Sequence, residues 1–313
     1  MDFTARLMID RGSGEENLYL HLCLSFVYER ELYMPYSSLR ARFYLMEDEI
    51  KAEQVKTVYF YCDDVLKHKG LPDSINVKPI NGGCIIDIVS RGHTLLLMQN
   101  EPYPRINTNV DLKKLITDNI DDDDIRYEDP TPTQRYIYVN ERSTVWDAIV
   151  AYSIKATGYY PYIRNINIVR VTIGTPASFN YQSELMTESG TELLTENLLS
   201  DVYMQDVDDQ YNFSAHSAVA QAAGIVRSRY YPLDNQWLYD PAVGLGHKLN
   251  YSCRGMKVKF FTYAGYKGEE LMDRAYNCGD ADGMRINAVR VVGSRKGIFT
   301  TVKCYDDMYG QKT

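Results

Sequence analysis

The first third of the chain alternates apolar and polar side chains with a period of two. In the stretch LYLHLCLSF, residues 18–26, leucine or phenylalanine stands at every second position. Successive side chains of a β-strand point to opposite faces of a sheet, so this spacing buries one face and exposes the other. The stretches LRARFYLM and VKTVYFYC repeat the pattern. Residues 1–98 are therefore predicted to form an antiparallel sheet of about five or six strands, curled into a barrel or a sandwich.

A hairpin is predicted near the end of this sheet. Asn81 and Gly82 separate the apolar runs INVKPI and GCIIDIV. Both residue types accept a positive φ, which two-residue hairpin turns require. Pro79 cannot donate a ladder hydrogen bond and therefore indicates an edge strand.

Residues 143–172 read as a helix followed by a hairpin. Ser143 and Thr144 are capping residues for a helix that ends at Gly158, and a turn at Arg164–Asn165 separates two strands. One stripe of the helix is apolar and should be buried, namely Val145, Trp146, Ile149, Tyr152 and Ala156. None of these side chains is a nucleophile, a metal ligand or a phosphate-binding group, so the segment is interpreted as a packing module.

Three domains are predicted from these patterns. The turn-rich stretch NEPYPRINTN ends the first barrel domain, 1–98. A short helix in VDLKKLITDNI, an acidic loop, the strand RYIYV and the helix-hairpin form a small α/β module, 99–175. Residues 176–313 form a second, barrel-like domain with an extended loop and one helix. The fold class is therefore mainly β with an α/β insert.

The last domain is less regular in sequence. Residues 183–215 are compatible with either a helix or strands. The following segment, 214–249, is interpreted as strands joined by an extended loop, because prolines and glycines interrupt it. KGEELMDRAYNCG is predicted to be a helix ending near Gly279. Two final strands, in MRINAVRVVG and GIFTTVKCYDDMY, should turn around Ser294–Lys296.

Composition limits the function classes. The net charge is -8, the sequence pI is about 5.2 and the basic residues are scattered, which argues against tight binding of nucleic acid. No apolar run approaches the roughly 20 residues of a membrane helix, and a cytoplasmic site of synthesis is expected. The 27 tyrosines suit strands, and they suit surfaces buried in an assembly equally well.

The cysteines are predicted to be reduced core thiols, because none forms a C-x-x-C pair and a large cytoplasmic chain needs no disulfides. They are Cys23, Cys62, Cys84, Cys253, Cys278 and Cys304.

No catalytic, cofactor-binding or metal-binding residue is predicted. The acids Asp121–Asp124 lack the spacing of a calcium loop, and CGDADGMRINAV would place Cys278 and Val289 at ligand positions. No two histidines stand at the i, i+4 spacing of a zinc helix; they are His21, His68, His93, His216 and His247. Adjacent acids such as Glu269–Glu270 and Asp306–Asp307 usually diverge rather than share a cleft.

The two tryptophans are the largest apolar anchors. Trp146 belongs to the helix stripe and is assigned to the core. Trp237 lies in the loop sequence DNQWLYDP, where it either packs in the core or contacts a neighbouring subunit.

Several motifs resemble a known family. TVWDAIVAYSIKATGYYPYIRNINIVRVT is similar to the helix-hairpin module of baseplate hub proteins from contractile phage tails and phage-like particles, the late-control-D-like group. SRGHTLLLMQNEPYP followed by VDLKKLI resembles that group's passage from the first barrel to the module. VRSRYYPLDNQWLYDP followed by YKGEELMDRAY resembles its later part. The resemblance covers most of residues 75–280 in order.

The resemblance implies a non-enzymatic assembly protein. Such hubs have two tube-like antiparallel β-barrels per subunit and form a homotrimeric ring between the tail tube and the central spike. The implied partners are further copies of the chain, the tube protein, the spike protein and the tape-measure protein, in the baseplate of a phage, a tailocin or a prophage. The negative net charge would suit a channel wall that repels phosphate.

Two other functions stay open. The tyrosine content is compatible with a carbohydrate-binding or adhesive β-protein. The acidic residues are compatible with a cell-wall hydrolase, although the chain ends at DDMYGQKT without a recognisable lytic extension.

Overall fold

The structure is a computed structural model that describes residues 4–12, 16–46 and 50–306. The strands are β1 Ala5–Asp10, β2 Leu18–Leu20, β3 Leu22–Glu31, β4 Ser38–Leu45, β5 Thr57–Cys62, β6 Val65–Ile80, β7 Gly83–Gly92, β8 Arg105–Val110, β9 Arg126–Tyr127, β10 Gln134–Val139, β11 Tyr162–Arg164, β12 Ile168–Arg170, β13 Ser178–Asn180, β14 Met186–Leu193, β15 Asp201–Met204, β16 Phe213–His216, β17 Ser228–Tyr231, β18 Lys257–Ala264, β19 Arg274–Tyr276, β20 Ala288–Ser294 and β21 Gly297–Tyr305. The α-helices are α1 Leu96–Gln99, α2 Leu112–Thr117, α3 Val145–Thr157, α4 Ala218–Ala222 and α5 Pro241–Ser252. Short 3-10 turns lie at Ala52–Gln54, His93–Leu95, Asn235–Trp237 and Gly279–Ala281.

Strands from both ends of the chain join one antiparallel sheet. Among the described residues it contains eleven strands, in the order β14-β18-β21-β20-β3-β4-β7-β6-β5-β1-β2. The junction between the amino-terminal and carboxy-terminal strands is the pair β20–β3, which runs from Ala288 opposite Glu31 to Ser294 opposite Ser25. The mainly β fold class is confirmed, and its two barrel-like halves share a continuous sheet.

The sheet curls around one apolar core. Phe26 on β3 meets Phe60 on β5 with ring centroids 4.9 Å apart, although three strands separate β3 from β5 in the sheet. In the carboxy-terminal half, the core is covered by the pair β13–β19 and the segment after β19 rather than by strands of the large sheet. These contribute Phe179, Ala275 and Ala281 to the same core. Alternation along the strands supplies these side chains, because every second residue faces inwards.

The predicted hairpin and edge strand are confirmed. Asn81 and Gly82 form the two-residue connection between β6 and β7, and Gly82 has a φ of 86°. Only the first part of β6, Val65–Gly70, pairs with β5, whereas Leu71–Ile80 pairs with β7 alone. Pro79 therefore lies where the missing amide proton breaks no ladder.

The helix followed by a hairpin is confirmed, although the first strand, β11, begins later than predicted and includes Arg164. Thr144 caps α3 by accepting from the Asp147 amide at 3.1 Å, and the Asp147 carboxylate accepts from the Thr144 amide in return. Gly158 ends the helix in the left-handed conformation, with a φ of 76°. Trp146 is 3% exposed in a second apolar core, which also contains α2, β10 and the β11–β12 hairpin.

The helix predicted in KGEELMDRAYNCG is wrong. This segment is irregular apart from β19, and its Gly268 and Met272 have φ values of 81° and 71°. A right-handed helix excludes these angles. The buried acids of the segment bond to three different parts of the fold instead.

The extended loop predicted in 214–249 is also wrong in part. Residues 241–252 form α5, with Pro241 in its first turn and Leu245 and Leu249 buried four residues apart. Gly244 has a packing role, because a Cβ there would lie 2.6 Å from the Trp237 side chain. Residues 183–215, whose sequence is compatible with either a helix or strands, contain the strands β14, β15 and the start of β16.

A small satellite unit lies between β14 and β18. Its sheet has the order β16-β15-β17, and α5 packs on one face through Leu245 and Leu249, against Val202 and Met204. The domain boundaries 98/99 and 175/176 remain predictions.

Candidate functional site

The side of the sheet that faces away from the main core carries a broad depression. A cavity of about 960 Å³ lies along it and is lined by strands from β14 to β7. We call this side of the sheet the concave face. Its central lining residues are Glu29, Ser38, Arg40, Arg91, Glu188, Thr262, Arg290, Thr301 and Lys303.

A row of polar side chains crosses this face from strand to strand. Directly opposite partners connect seven strands in the order Glu188, Thr262, Thr301, Arg290, Glu29, Ser38 and Arg91. The Arg290 guanidinium lies 2.8 Å from the Glu29 carboxylate at the β20–β3 junction. The Thr262 and Thr301 hydroxyls are 2.9 Å apart. Side chains that are direct cross-strand neighbours stabilise a pairing, so the row ties the two halves of the sheet together.

The charges on this side of the sheet are balanced. The cavity lining contains five carboxylates and six Lys or Arg residues. Several of them pair with each other, as Lys303 does with Glu192 at 3.0 Å and Arg91 with Asp73 at 2.7 Å. The net charge of -8 is therefore carried mainly by other parts of the chain.

Segment 265–273 joins the sheet to the module through buried acids. Glu269 is 1% exposed and accepts hydrogen bonds from the hydroxyls of Tyr181, at 2.9 Å, and Tyr263. Glu270 pairs with Arg30 of β3 and accepts from the Asn165 amide at 3.2 Å. We call this segment the acidic clamp.

Asp273 completes the acidic clamp. Its carboxylate accepts from Arg164 of the module hairpin at 2.8 Å and from the Ala177 amide at 2.9 Å. Burial raises the pKa of Glu269, while its two tyrosine partners oppose that rise. As expected of adjacent acids, Glu269 and Glu270 point to separate partners. Their contacts connect distant segments of the fold.

A buried histidine lies behind the concave face. His68 is fully buried, with Nδ1 2.8 Å from the Ser37 hydroxyl and Nε2 2.9 Å from the Ser90 hydroxyl. Ser90 donates its own proton to the Leu71 carbonyl at 2.9 Å, so His68 must donate to Ser90 and accept from Ser37. In this arrangement His68 is no general base for Ser90. Burial lowers the pKa of His68 to about 3, and the nearby Arg30 charge adds to the effect.

We expect His68 to make stability fall as the pH is lowered. Its folded pKa lies below its ordinary value of 6.5, so the unfolded chain takes up a proton that the folded chain does not. Between pH 6.5 and about 4.5, the wild type should lose up to about 1.4 kcal/mol per pH unit relative to His68→Gln. Urea unfolding at several pH values measures this. The exposed His21→Gln serves as control, and equal slopes in all three proteins would contradict the assignment.

Another cluster brings His93 to the acidic loop. His93 Nε2 lies 2.6 Å from Asp122, and Asp124 pairs with Lys69 of β6. The ligand atoms of His93, Asp122 and Asp124 lie within 4.8 Å of one another. However, the Lys69 ammonium already neutralises Asp124, and His93 Nδ1 lacks the partner that orients a metal-binding imidazole. The His93–Asp122 contact and the Lys69–Asp124 ion pair attach the loop to the sheet, which explains this geometry.

The other residues singled out in the sequence lie apart from these groups. His216 bonds to Asp201 at 2.6 Å on the satellite unit, and the His247 ring packs 4.8 Å from Trp237. Trp237 also packs on α5 and lies beneath Lys155. All six cysteines are free and four of them are buried. Gly14 and Asp307 lie outside the described residues. In the described segments, no helix is long and apolar enough to cross a membrane.

Solved structures share this fold over nearly the whole chain. A tail protein from Neisseria meningitidis MC58 matches with a TM-score of 0.69 and 15% identity, over 99% of this chain and 98% of its own. The 43 kDa tail protein of prophage MuSo2 from Shewanella oneidensis matches with a TM-score of 0.70 and 10% identity, over 96% and 98%. An E. coli type VI secretion component, itself structurally similar to T4 tail proteins, matches with a TM-score of 0.58 and 11% identity, over 98% and 79%. The chain therefore has the fold of phage tail proteins.

Comparison of the sequence alone gives a different result from comparison of the fold. No protein-family model matches it, and no curated protein matches it.

Sequence reasoning missed the concave face and the acidic clamp. The alternating strands did show polar residues at every second position, but pairing between β3 and β20 joins residues about 260 positions apart in sequence. The sequence of the acidic clamp predicted a helix instead, because Glu, Leu, Met and Arg have high helix propensity.

Proposed function

We propose that this protein is a structural baseplate hub of a phage or phage-like contractile tail. It forms a homotrimeric ring that joins the tail tube to the central spike, and its role is mechanical rather than catalytic. The observation that carries the proposal is the continuous concave sheet, whose eight strands from β14 to β6 span both halves of the chain. The near full-length likeness to tail proteins supports the same role.

The edges of the concave sheet suit a ring. β14 pairs only with β18, and β6 beyond Gly70 pairs only with β7, so the described chain leaves one free edge at each end. The two edges differ in sequence, and contacts between unlike surfaces of identical subunits are head-to-tail. Such contacts close into a ring when the rotation between subunits is right. Pro72 and Pro79 limit main-chain pairing on the β6 edge, so side chains must supply much of the joint.

The ring would place the concave face on its channel wall. In this arrangement the depression opens towards the channel, and the polar row from Glu188 to Arg91 faces it. Because carboxylates and cations alternate and pair there, the wall would neither grip nor strongly repel nucleic acid. The number three and the tube, spike and tape-measure partners come from the resemblance to hub proteins, as does a location in the virion baseplate.

Light scattering coupled to size exclusion tests the assembly. We expect a particle of three times the 36.0 kDa chain mass at high protein concentration. Adding charge at the β14 edge with Thr191→Lys/Leu193→Lys should shift the particle to the monomer, because the joint would desolvate these positions. Tyr103→Lys/Ile106→Lys, which adds the same charge at exposed positions away from both edges, is the matched control. A monomer at every concentration, alone and with tube or spike protein, would refute the ring.

A carbohydrate-binding role is the second candidate, and a tyrosine cluster favours it. On the open face of the satellite sheet, Tyr203 stacks on Tyr230 at 4.8 Å, and Tyr211 contacts Tyr230 edge-on at 5.1 Å. Tyr230 is 61% exposed. Asp201 and His216 add hydrogen-bonding groups on the same face. Glycan-array binding that is lost in Tyr230→Ala would support this role.

A further inference from the structure

One end of the sheet consists of strand ends and tight turns. Here lie the start of β3, the turns Asp63–Asp64 and Asn81–Gly82, and the turn Arg295–Lys296 between β20 and β21. The registers place the start of β3 beside Asn81–Gly82 and Arg295–Lys296, since Leu22 is opposite Tyr44, Leu45 is opposite Cys84, and Ser25 is opposite Ser294. Asp63 and Asp64 line the same cavity as these segments. We call it the hairpin end. The helix-hairpin module is attached at the other end, where β3 and β21 finish.

A large cavity opens at the hairpin end between the two halves of the sheet. Its volume is about 1390 Å³, and its lining includes Phe26 of the core, Ile298, which packs against that core, and the half-buried Ile85. Apolar residues also reach solvent at its rim, where Leu22 is 47% and Ile80 is 43% exposed. Exposed apolar side chains grouped around an opening are typical of a binding surface.

Further exposed apolar residues surround this rim. Val65, which follows the turn Asp63–Asp64, is 54% exposed, and Met46, which follows β4, is 69% exposed. Burying apolar surface stabilises a complex by about 25 cal/mol per Å². The hairpin end can therefore supply apolar binding energy without rearrangement of the core.

The charges at this opening are unlike those of the whole chain. Arg6, Arg295 and Lys296 line it together with Asp63 and Asp64, so cations outnumber carboxylates in a protein of net charge -8. Arg6 lies 3.4 Å from Asp64, and Asp63 accepts from the Thr4 amide at 3.0 Å. In the described structure, the side chains of Arg295 and Lys296 have neither a hydrogen bond nor an ion pair. Two exposed cations are thus available to an incoming ligand.

We propose that the hairpin end binds a peptide segment of a partner protein that carries an aliphatic or aromatic residue next to an aspartate or glutamate. The apolar side chain enters the cavity between Leu22 and Ile80, and the carboxylate pairs with Arg295 and Lys296. An anionic lipid surface shares this chemistry, but an extended layer of anionic headgroups would also face Asp63 and Asp64, whereas a single carboxylate can approach Arg295 and Lys296 alone. The proposal rests on the proposed tail role for the source of the partner, a neighbouring tail component.

The probe is a random linear peptide library selected on the immobilised full-length protein. We expect the selected peptides to combine an apolar residue with an adjacent acid. By fluorescence anisotropy, affinity for one such peptide should fall by about tenfold or more in Arg295→Glu/Lys296→Glu and in Ile80→Asp. The double variant should then prefer a peptide in which lysine replaces the acid.

The control is Lys113→Glu/Arg135→Glu, which makes the same charge change at exposed positions of the module. Circular dichroism verifies that every variant is folded, and Arg295→Ala/Lys296→Ala is available if the charge reversal disturbs the turn. Three results would overturn the proposal: a library without a reproducible motif, peptides that bind all variants equally, and binding to anionic vesicles in place of peptides. Light scattering on Arg295→Glu/Lys296→Glu separates this outcome from a failure of the ring, because both residues lie in the β20–β21 turn and on neither free edge. Ile80→Asp does not serve for this comparison, because Ile80 ends the β6 edge.

Discussion

Replacing Arg30 with alanine is expected to lower the free energy of unfolding by about 3–5 kcal/mol. The Arg30 side chain is 5% exposed and pairs with Glu270, while it also donates to the Ile163 carbonyl at 2.7 Å. Its removal leaves the Glu270 carboxylate, which is 17% exposed, with only the Asn165 amide, and it leaves the Ile163 carbonyl without this donor. The lost pair also connects β3 to the acidic clamp and the module hairpin. Urea unfolding followed by circular dichroism measures the change.

Arg290→Ala is the matched control for this prediction. Arg290 also pairs with a glutamate, Glu29, but the two side chains are 58% and 47% exposed. Exposed pairs contribute about 0–1 kcal/mol, so this variant should be nearly as stable as the wild type. In Arg30→Met/Glu270→Leu, which removes both charges, much of the lost stability should return. Equal effects of Arg30→Ala and Arg290→Ala would show that the buried pair has no special role.

Replacing Trp146 with alanine is expected to cost about 3–5 kcal/mol, because it empties the centre of the second core. Trp146 is 3% exposed, and its indole lies 6.4 Å from the Tyr160 ring among the side chains of α3 and the module hairpin. A residue of this size leaves a cavity that the surrounding helix and strands cannot fill. Denaturant unfolding monitored by circular dichroism gives the stability, and hydrogen exchange in α3 shows whether the module opens first.

Trp237→Ala provides the comparison for Trp146. Trp237 is only partly buried and packs against α5 and His247 at the side of the same core. Less apolar surface becomes exposed when it is removed, so the loss of stability should be clearly smaller than for Trp146. A larger loss for Trp237 would mean that the satellite unit, rather than α3, holds the module in place.

These expectations depend on contacts that the sequence revealed to different degrees. The α3 stripe could be read directly, because helix periodicity, the Thr144 cap and the Gly158 terminator agree over thirteen residues. Arg30 could not be read in the same way. It occupies an inward position of β3, where alternation predicts an apolar side chain, and its partner Glu270 lies 240 residues away.

The sequence likewise revealed the local parts of the candidate surfaces but not how these parts come together. Asn81–Gly82 and Ser294–Lys296 were both expected as turns, and both are turns of the hairpin end. Their proximity to each other, and to Leu22, follows only from the β20–β3 pairing. The concave face likewise needs strands from both termini, so a list of polar alternate positions could not define it.

The sequence by itself determined the mainly β class, the period of each strand, the tight turns and the helix-hairpin, because these depend on local φ/ψ preferences and on side-chain spacing within one element. Tertiary structure decided which strands become neighbours, why the acidic clamp is irregular rather than helical, and how the two free edges and the hairpin end are placed. Those outcomes depend on burying charges and aromatic rings from distant segments in one core. Local propensity, which amounts to at most about 1 kcal/mol per ordinary residue, is readily overridden by such long-range contacts.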